Sequence, residues 1–158
     1  MRAVIQRVLQ SSVTIDGKIF SSIQKGLMVL LGVEVNDEKE DAEWLCRKIA
    51  NMRIFADDND VMNLSVKDCD GEILIISQFT LQADASKGNR PSYIRAARPE
   101  IAIPLYEYFI ELMKRETNSK VQTGSFGADM KVSLINDGPV TIILDSKTSP
   151  KSSPQERT

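Results

Sequence analysis

Apolar and polar positions alternate through Arg2 to Leu9 and again through Ser12 to Ile15, the two-residue period of a half-buried strand. Gly17 supplies a turn signal before Ile19 and Phe20, where the chain is expected to return. From Gly26 to Val33 the alternation gives way to a continuous apolar run of strand length, bounded by glycines, which predicts a strand covered on both faces. A helical period follows over Glu38 to Met52, placing Ala42, Leu45, Ile49 and Met52 on one face. Asp37 is the expected cap of that helix, and its acidic first turn suits the positive end of a helix dipole. Ile73 to Leu81 reads as a second strongly apolar strand. Pro99 to Glu116 repeats the helical pattern with Ile101, Leu105, Tyr108, Leu112 and Met113, and Pro104, which lacks an N–H, is expected to delay or bend its start. Val121 to Phe126, Lys131 to Asn136 and Val140 to Asp145 predict closing strands. Strands, helix, strand, helix, strands in that order predict a mixed α/β fold, with mixed β-sheets forming a partial barrel covered by two helices.

Composition narrows this picture. The chain has 158 residues, 42% hydrophobic and 27% charged, enough for one domain with a sizeable core and ordinary for a soluble globular protein. That domain is expected over residues 1–145, because the tail 146–158 is rich in Ser, Pro, Lys and Thr without one aliphatic residue and is expected to be disordered. No apolar run reaches membrane-spanning length and the first residues lack the apolar core of a secretory signal, so the cytoplasm is the expected compartment and no membrane partner is expected. Cys46 and Cys69 have no CxxC spacing and are expected to be free thiols. Histidine is absent, which removes Ser-His-Asp and Cys-His schemes, imidazole bases and histidine metal sites together. No metal site and no cofactor are predicted. The net charge of −2 offers no global attraction to nucleic acid, but Lys87, Arg90, Arg95 and Arg98 lie in a stretch without an acidic residue. That stretch is either a solvated basic loop or a surface that meets phosphates.

Two short motifs stand at strand ends, where chemistry is often placed. In Ser77-Gln78-Phe79-Thr80-Leu81, a hydroxyl nucleophile at Ser77 or Thr80 needs a base, which only a lysine or carboxylate could supply here. The same hydroxyls could simply cap a strand end, or the backbone N–H groups of Ser77 to Thr80 could form an oxyanion pocket, with the Gln78 amide orienting substrate. In Asn136-Asp137-Gly138-Pro139-Val140-Thr141, Gly138-Pro139 is either a hairpin corner or, with a cis bond, a rigid pair of carbonyl acceptors suited to a substrate ammonium. Gly124 to Met130 has neither the GxGxxG order nor the lysine of a P-loop, and its Phe126 and Met130 either belong to the core or hold a flat base. Asp57-Asp58-Asn59-Asp60 lacks the spacing, glycine and closing glutamate of an EF-hand loop and reads as a solvated acidic turn.

These motifs, with Lys87-Gly88-Asn89-Arg90-Pro91-Ser92-Tyr93 and the opening Met1 to Val8, resemble the D-aminoacyl-tRNA deacylase family through about residue 145. The resemblance implies the deacylase-like fold and a hydrolase that cleaves the ester of D-aminoacyl-tRNA to free D-amino acid and reusable tRNA. It implies a proofreading activity in translation that rejects L-aminoacyl-tRNA and also passes glycine, including glycine mischarged on alanine tRNA. It further implies a homodimer in which a cis Gly138-Pro139 corner reaches into the partner's pocket beside Ser77, Gln78, Phe79 and Thr80. By the same likeness the Gly138 and Pro139 main chain holds the α-amino group, Phe126 and Met130 receive the adenine, and Ala102 borders the side-chain space. Backbone N–H near Phe79 steadies the oxyanion while a water assisted by the ribose 2′-hydroxyl attacks, and Thr80 is the competing nucleophile. Lys87, Arg90, Arg95 and Arg98 are then expected to meet tRNA phosphates. The rival readings are a small barrel that binds RNA or nucleotide without chemistry and a purely structural dimer.

Overall fold

The computed structural model describes residues 1–148. Its frame is β1 (Arg2–Ile15), which turns at Asp16 and Gly17, both at positive φ, into β2 (Lys18–Ile23). After β3 (Gly26–Gly32) come α1 (Lys39–Asn51), the short pair β4 (Phe55–Ala56) and β5 (Met62–Leu64), and then β6 (Glu72–Ser77). A 3-10 turn at Phe79–Gln82, α2 (Pro99–Thr117), β7 (Val121–Thr123) and β8 (Lys131–Asp145) complete the fold.

One edge of β1 is taken by β8 along its length, and the other is shared by β3 against residues 2–8 and β2 against residues 11–15. From β3 the sheet continues through parallel β6 to parallel β7. The two free ends meet where Ser21 Oγ on β2 donates to the Thr123 carbonyl after β7 at 2.7 Å, drawing the sheet into a partial barrel. The apolar runs of β3 and β6 are covered on both faces, as their unbroken hydrophobicity requires. Leu27, Val29, Leu31, Ile73 and Ile75 pack toward the helices, whereas Met28, Leu74 and Ile76 join Val8, Val13 and Ile23 inside the barrel.

Several expectations are corrected. The expected strands at 2–9 and 12–15 are one strand, as are those at 131–136 and 140–145, because register shifts at Gln6 to Gln10 absorb the irregularity without ending the pairing. Gly138-Pro139 is therefore a kink inside β8 rather than a hairpin corner. Glu38 caps α1 through a capping box with Asp41. Asp37 instead accepts the buried Met1 ammonium at 2.5 Å and the Glu34 N–H at 2.6 Å. Pro104 does not delay α2, which starts at Pro99, where a missing N–H costs nothing. The inward face of α2 is Ala102, Leu105, Tyr106, Phe109, Ile110 and Met113, so Ile101 is outside and Tyr108 and Leu112 lie at the margin. The strand expected at 121–126 stops at Thr123, and the one expected at 73–81 stops at Ser77. Of the tail expected to be disordered, Ser146–Thr148 forms a 3-10 turn in which Ser146 is buried and Lys147 pairs with Asp41 at 3.0 Å. Its remainder lies outside the described residues.

Cys46 and Cys69 are free thiols, and burial pushes the Cys46 thiol up to about 12. The acidic stretch at 57–60 is a turn between β4 and β5, with Asp57 Oδ1 accepting the Asn59 and Val61 N–H groups at 2.9 and 3.1 Å. No helix among the described residues is long and apolar enough to cross a membrane.

Candidate active site

The end of β6 is where the apolar core yields to polar backbone. Gln78 N–H donates to the Leu31 carbonyl at 2.8 Å, the last step of the β3–β6 ladder, and the chain then curls into the turn at Phe79–Gln82. That turn is pinned from two sides: buried Gln82 Nε2 donates to the Gly32 carbonyl at 3.0 Å, and Arg2 Nη1 to the Leu81 carbonyl at 2.8 Å. Its first two N–H groups, on Phe79 and Thr80, find no acceptor within the described residues. Such donors at the head of a turn are suited to an oxygen that gains negative charge.

Beside them opens a pocket of about 320 Å³. Ser77, Gln78 and Phe79 form one wall, Ala102 and Tyr106 of α2 another, and the segment Phe126 to Met130 a third. The structure thus gathers six of the residues singled out from the sequence: Ser77, Gln78, Phe79, Ala102, Phe126 and Met130. Thr80 lies just outside the lining, and its hydroxyl oxygen accepts a short hydrogen bond from Gln78 Nε2. Among the described residues, no lysine or carboxylate bonds to either the Ser77 or the Thr80 hydroxyl. Asp129, the acidic residue among the described lining, is exposed and paired with Lys131 at 3.0 Å.

Phe126 and Met130 are set by a compact loop in which Gly127 adopts positive φ and Ala128 N–H closes on the Ser125 carbonyl at 3.1 Å. Gly124 is buried, and a Cβ there would run into Met130 Sδ, so the missing side chain is what lets the thioether lie along the pocket wall. Phe126 stacks at a 58° tilt on Tyr106. Tyr106 was not among the residues picked from the sequence, although it stands one helical turn after Ala102 and so shares its face. Its hydroxyl donates to the Ile75 carbonyl at 2.9 Å, and burial raises the phenol well above its usual range, with the Ser77 backbone N–H opposing that rise.

Gly138 and Pro139 do not line this pocket; they are exposed, and the peptide between them is cis. The corner is stiffened from within the chain. Asn136 Oδ1 accepts the Val140 N–H at 2.8 Å, and its Nδ2 donates to Thr141 Oγ1 at 3.1 Å. Arg7 donates to the Asp137 carbonyl at 2.9 Å and to the Ile54 carbonyl at 2.6 Å. Gly138 has φ +141, and a Cβ on it would fall 2.8 Å from Val140 Cγ2. The exposed apolar residues Leu9, Ile135 and Ile143 stand on the adjoining stretches of β1 and β8.

The four basic residues of the 86–99 segment divide. Lys87 and Arg90 are exposed at its tip without an ion pair among the described residues, and Arg98 is exposed at the start of α2. Arg95 is committed to Glu34 at 2.6 Å, and that hydrogen bond and charge raise its pKa further. The backbone around it is tied down as well, through Val35 N–H to the Arg95 carbonyl at 3.0 Å. No group of three or more acidic or thiol side chains that could hold a metal occurs among the described residues.

Known proteins resemble this chain in sequence and in fold. Residues 4–145 match the family described as D-Tyr-tRNA(Tyr) deacylase. A D-aminoacyl-tRNA deacylase of Flavobacterium psychrophilum is 67% identical over 147 residues, covering 93% of this chain and 98% of that protein. One of Bacteroides fragilis is 60% identical over the same shares. Among solved structures, one called c-Myc DNA Unwinding Element Binding Protein superposes with a TM-score of 0.89 at 42% identity, over 96% of this chain and all of that one. A probable eukaryotic D-amino acid tRNA deacylase superposes with a TM-score of 0.79 over 90% of this chain and 97% of that one, and at 17% identity it speaks for the fold alone.

Proposed function

The chain belongs to the D-Tyr-tRNA(Tyr) deacylase family and is a hydrolase of D-aminoacyl-tRNA esters, and from this premise we propose how its residues divide the work. The observation that carries the proposal is the pair of N–H groups on Phe79 and Thr80, unpartnered among the described residues, at the edge of a pocket beside which no described lysine or carboxylate bonds to a hydroxyl. With no histidine in the chain, and no lysine or carboxylate bonded to these hydroxyls among the described residues, a side-chain nucleophile has no proton acceptor in place there, whereas fixed backbone donors need none.

In this reading the terminal adenine lies between Phe126 and Met130, and the amino-acid side chain points toward Ala102. The ester carbonyl oxygen faces the Phe79 and Thr80 N–H groups. A water oxygen bonds to the carbonyl carbon and its proton passes to the ribose 2′-hydroxyl, which hands its own proton to the departing 3′-oxygen. The negative charge rests on the carbonyl oxygen until the carbon–3′-oxygen bond breaks, leaving free D-amino acid and tRNA. Gln78, held against Thr80, orients the substrate by its amide.

Handedness calls for a second element, and Gly138 and Pro139 do not line the pocket of their own chain. We assign it to the Gly138-Pro139 corner of a second copy, in a homodimer joined through the apolar residues Leu9, Ile135 and Ile143 that flank the corner. Its carbonyls hold the α-amino group and leave no room on the L side, while glycine passes, including glycine mischarged on alanine tRNA. Lys87, Arg90 and Arg98 meet tRNA phosphates, and Arg95 contributes mainly by bracing the segment against Glu34. The protein works in the cytoplasm, where charged tRNA is used.

Matched D- and L-tyrosyl-tRNA offered to the purified protein test this. The D ester should be cleaved and the L ester left, with the protein sedimenting as a dimer. Equal cleavage of both, or of neither, defeats the chiral scheme, and a fully active monomer defeats the shared corner.

A further inference from the structure

Tyr106 takes no part in the scheme above, yet it touches both halves of the pocket. It is 5% exposed, and its hydroxyl donates to the Ile75 carbonyl at 2.9 Å. The same carbonyl accepts the Gly124 N–H at 3.2 Å, so both of its lone pairs are used. The position of that bond in the ladder matters. Ile75 pairs with Thr123, the last residue of β7, so beyond Ile75 the strand that carries Ser77 has no strand neighbour on that side. Tyr106 occupies the gap: its phenol donates to the Ile75 carbonyl, and the Ser77 N–H is near enough to the phenolic oxygen to oppose the rise of its pKa. Its ring, 5.9 Å from that of Phe126, also supports the opposite wall. A phenylalanine would fill nearly the same volume without burying a hydroxyl that has to be satisfied, so packing alone does not account for tyrosine here.

We propose that Tyr106 is a positioning residue for deacylation, its hydroxyl fixing the end of β6 from which the Phe79 N–H is aimed and its ring fixing Phe126, so that the two walls keep one register. The inference rests on the deacylase reading of the pocket and concerns a residue that contacts the reacting groups only through others.

The test compares full-length wild type, Tyr106→Phe and Tyr106→Leu. For each, kcat and KM on D-tyrosyl-tRNA are measured beside the thermal midpoint and the hydrogen exchange of individual backbone amides. Tyr106→Phe should lower kcat by about ten- to a hundredfold, the range expected for a displaced reacting group, with KM little changed. It should also speed exchange at Ser77 while β3 amides keep their protection. Tyr106→Leu should raise KM in addition, as Phe126 loses its ring partner. A Tyr106→Phe protein with wild-type kcat and wild-type exchange at Ser77 overturns the proposal. So does one that is less stable but equally active per folded molecule. Exchange needs no substrate, so a wild type inert toward D-tyrosyl-tRNA defeats the deacylase reading, while the amide data still decide whether Tyr106 holds the strand end.

Discussion

The wall at Ser77 to Phe79 and the corner at Gly138 and Pro139 are both rigid, but their rigidity points in opposite directions. The wall is the end of a buried strand, held by Gln82, Arg2 and Tyr106, and everything it needs to form a pocket comes from its own chain. The corner is also held by its own chain, through Arg7 and Asn136, yet it is exposed and lines no part of that chain's pocket. Ordering an exposed turn costs conformational entropy that burial does not return, so the internal bracing matters only if the corner is presented to something outside. The contrast fits the two tasks we propose: ester cleavage with donors from one chain, and chiral selection between two chains.

The largest expected effect attacks the wall. Phe79→Pro removes an N–H that bonds nothing among the described residues, so the fold should tolerate it while kcat falls by about a hundred- to a thousandfold, as for loss of an oxyanion donor. Phe79→Ala, which keeps the N–H, should retain most of the activity. Equal losses in the two variants would mean that the ring, not the backbone, does the work. Next comes the corner. Gly138→Ala forces a Cβ to within 2.8 Å of Val140 Cγ2 at φ +141, and the resulting shift should cost about a hundredfold in kcat/KM on D-tyrosyl-tRNA with the thermal midpoint little moved. A collapse of the midpoint with activity preserved per folded molecule would reduce the corner to a structural bend.

Thr80→Ala should be milder. It removes one hydrogen bond with Gln78, a contribution of about 0.5–1.5 kcal/mol and therefore up to about tenfold in kcat. A loss of several thousandfold would instead make Thr80 the nucleophile. The smallest effect belongs to the basic tip. Replacing Lys87 and Arg90 together by alanine should leave kcat unchanged and make the salt dependence of tRNA binding shallower by about 1.4 to 1.8 in log–log slope. An unchanged slope would return that segment to a solvated loop.

Much of this molecule was legible in its residues. The continuous apolar runs of β3 and β6 marked strands covered on both faces, and the helical period located both helices to within two residues at each end. Six of the residues picked as candidates line one pocket. The misses share a cause. Phe79 to Leu81 are compatible with a continuing strand, but the β3–β6 ladder ends at Gln78 and the chain curls where no partner strand continues among the described residues. Asp37 looked like a cap by its place before a helix, and long-range contact with the Met1 ammonium claimed it. The α2 face marked by Ile101, Tyr108 and Leu112 lies too far round the helix to include Tyr106, which is buried beside Ala102 and Leu105.

By itself, then, the sequence narrowed the chemistry open to this protein: with no imidazole there is no histidine triad, and what is left is a hydroxyl served by a lysine or carboxylate, or a water served by backbone donors. It also determined the elements, since periodicity is a local property of the chain. Only the tertiary structure decided which N–H groups stay unpaired, which phenol props the strand end, and that the corner lies apart from its own pocket. Hydrogen-bond partners depend on where strands of different length stop beside one another, and residues far apart in the chain set those stops.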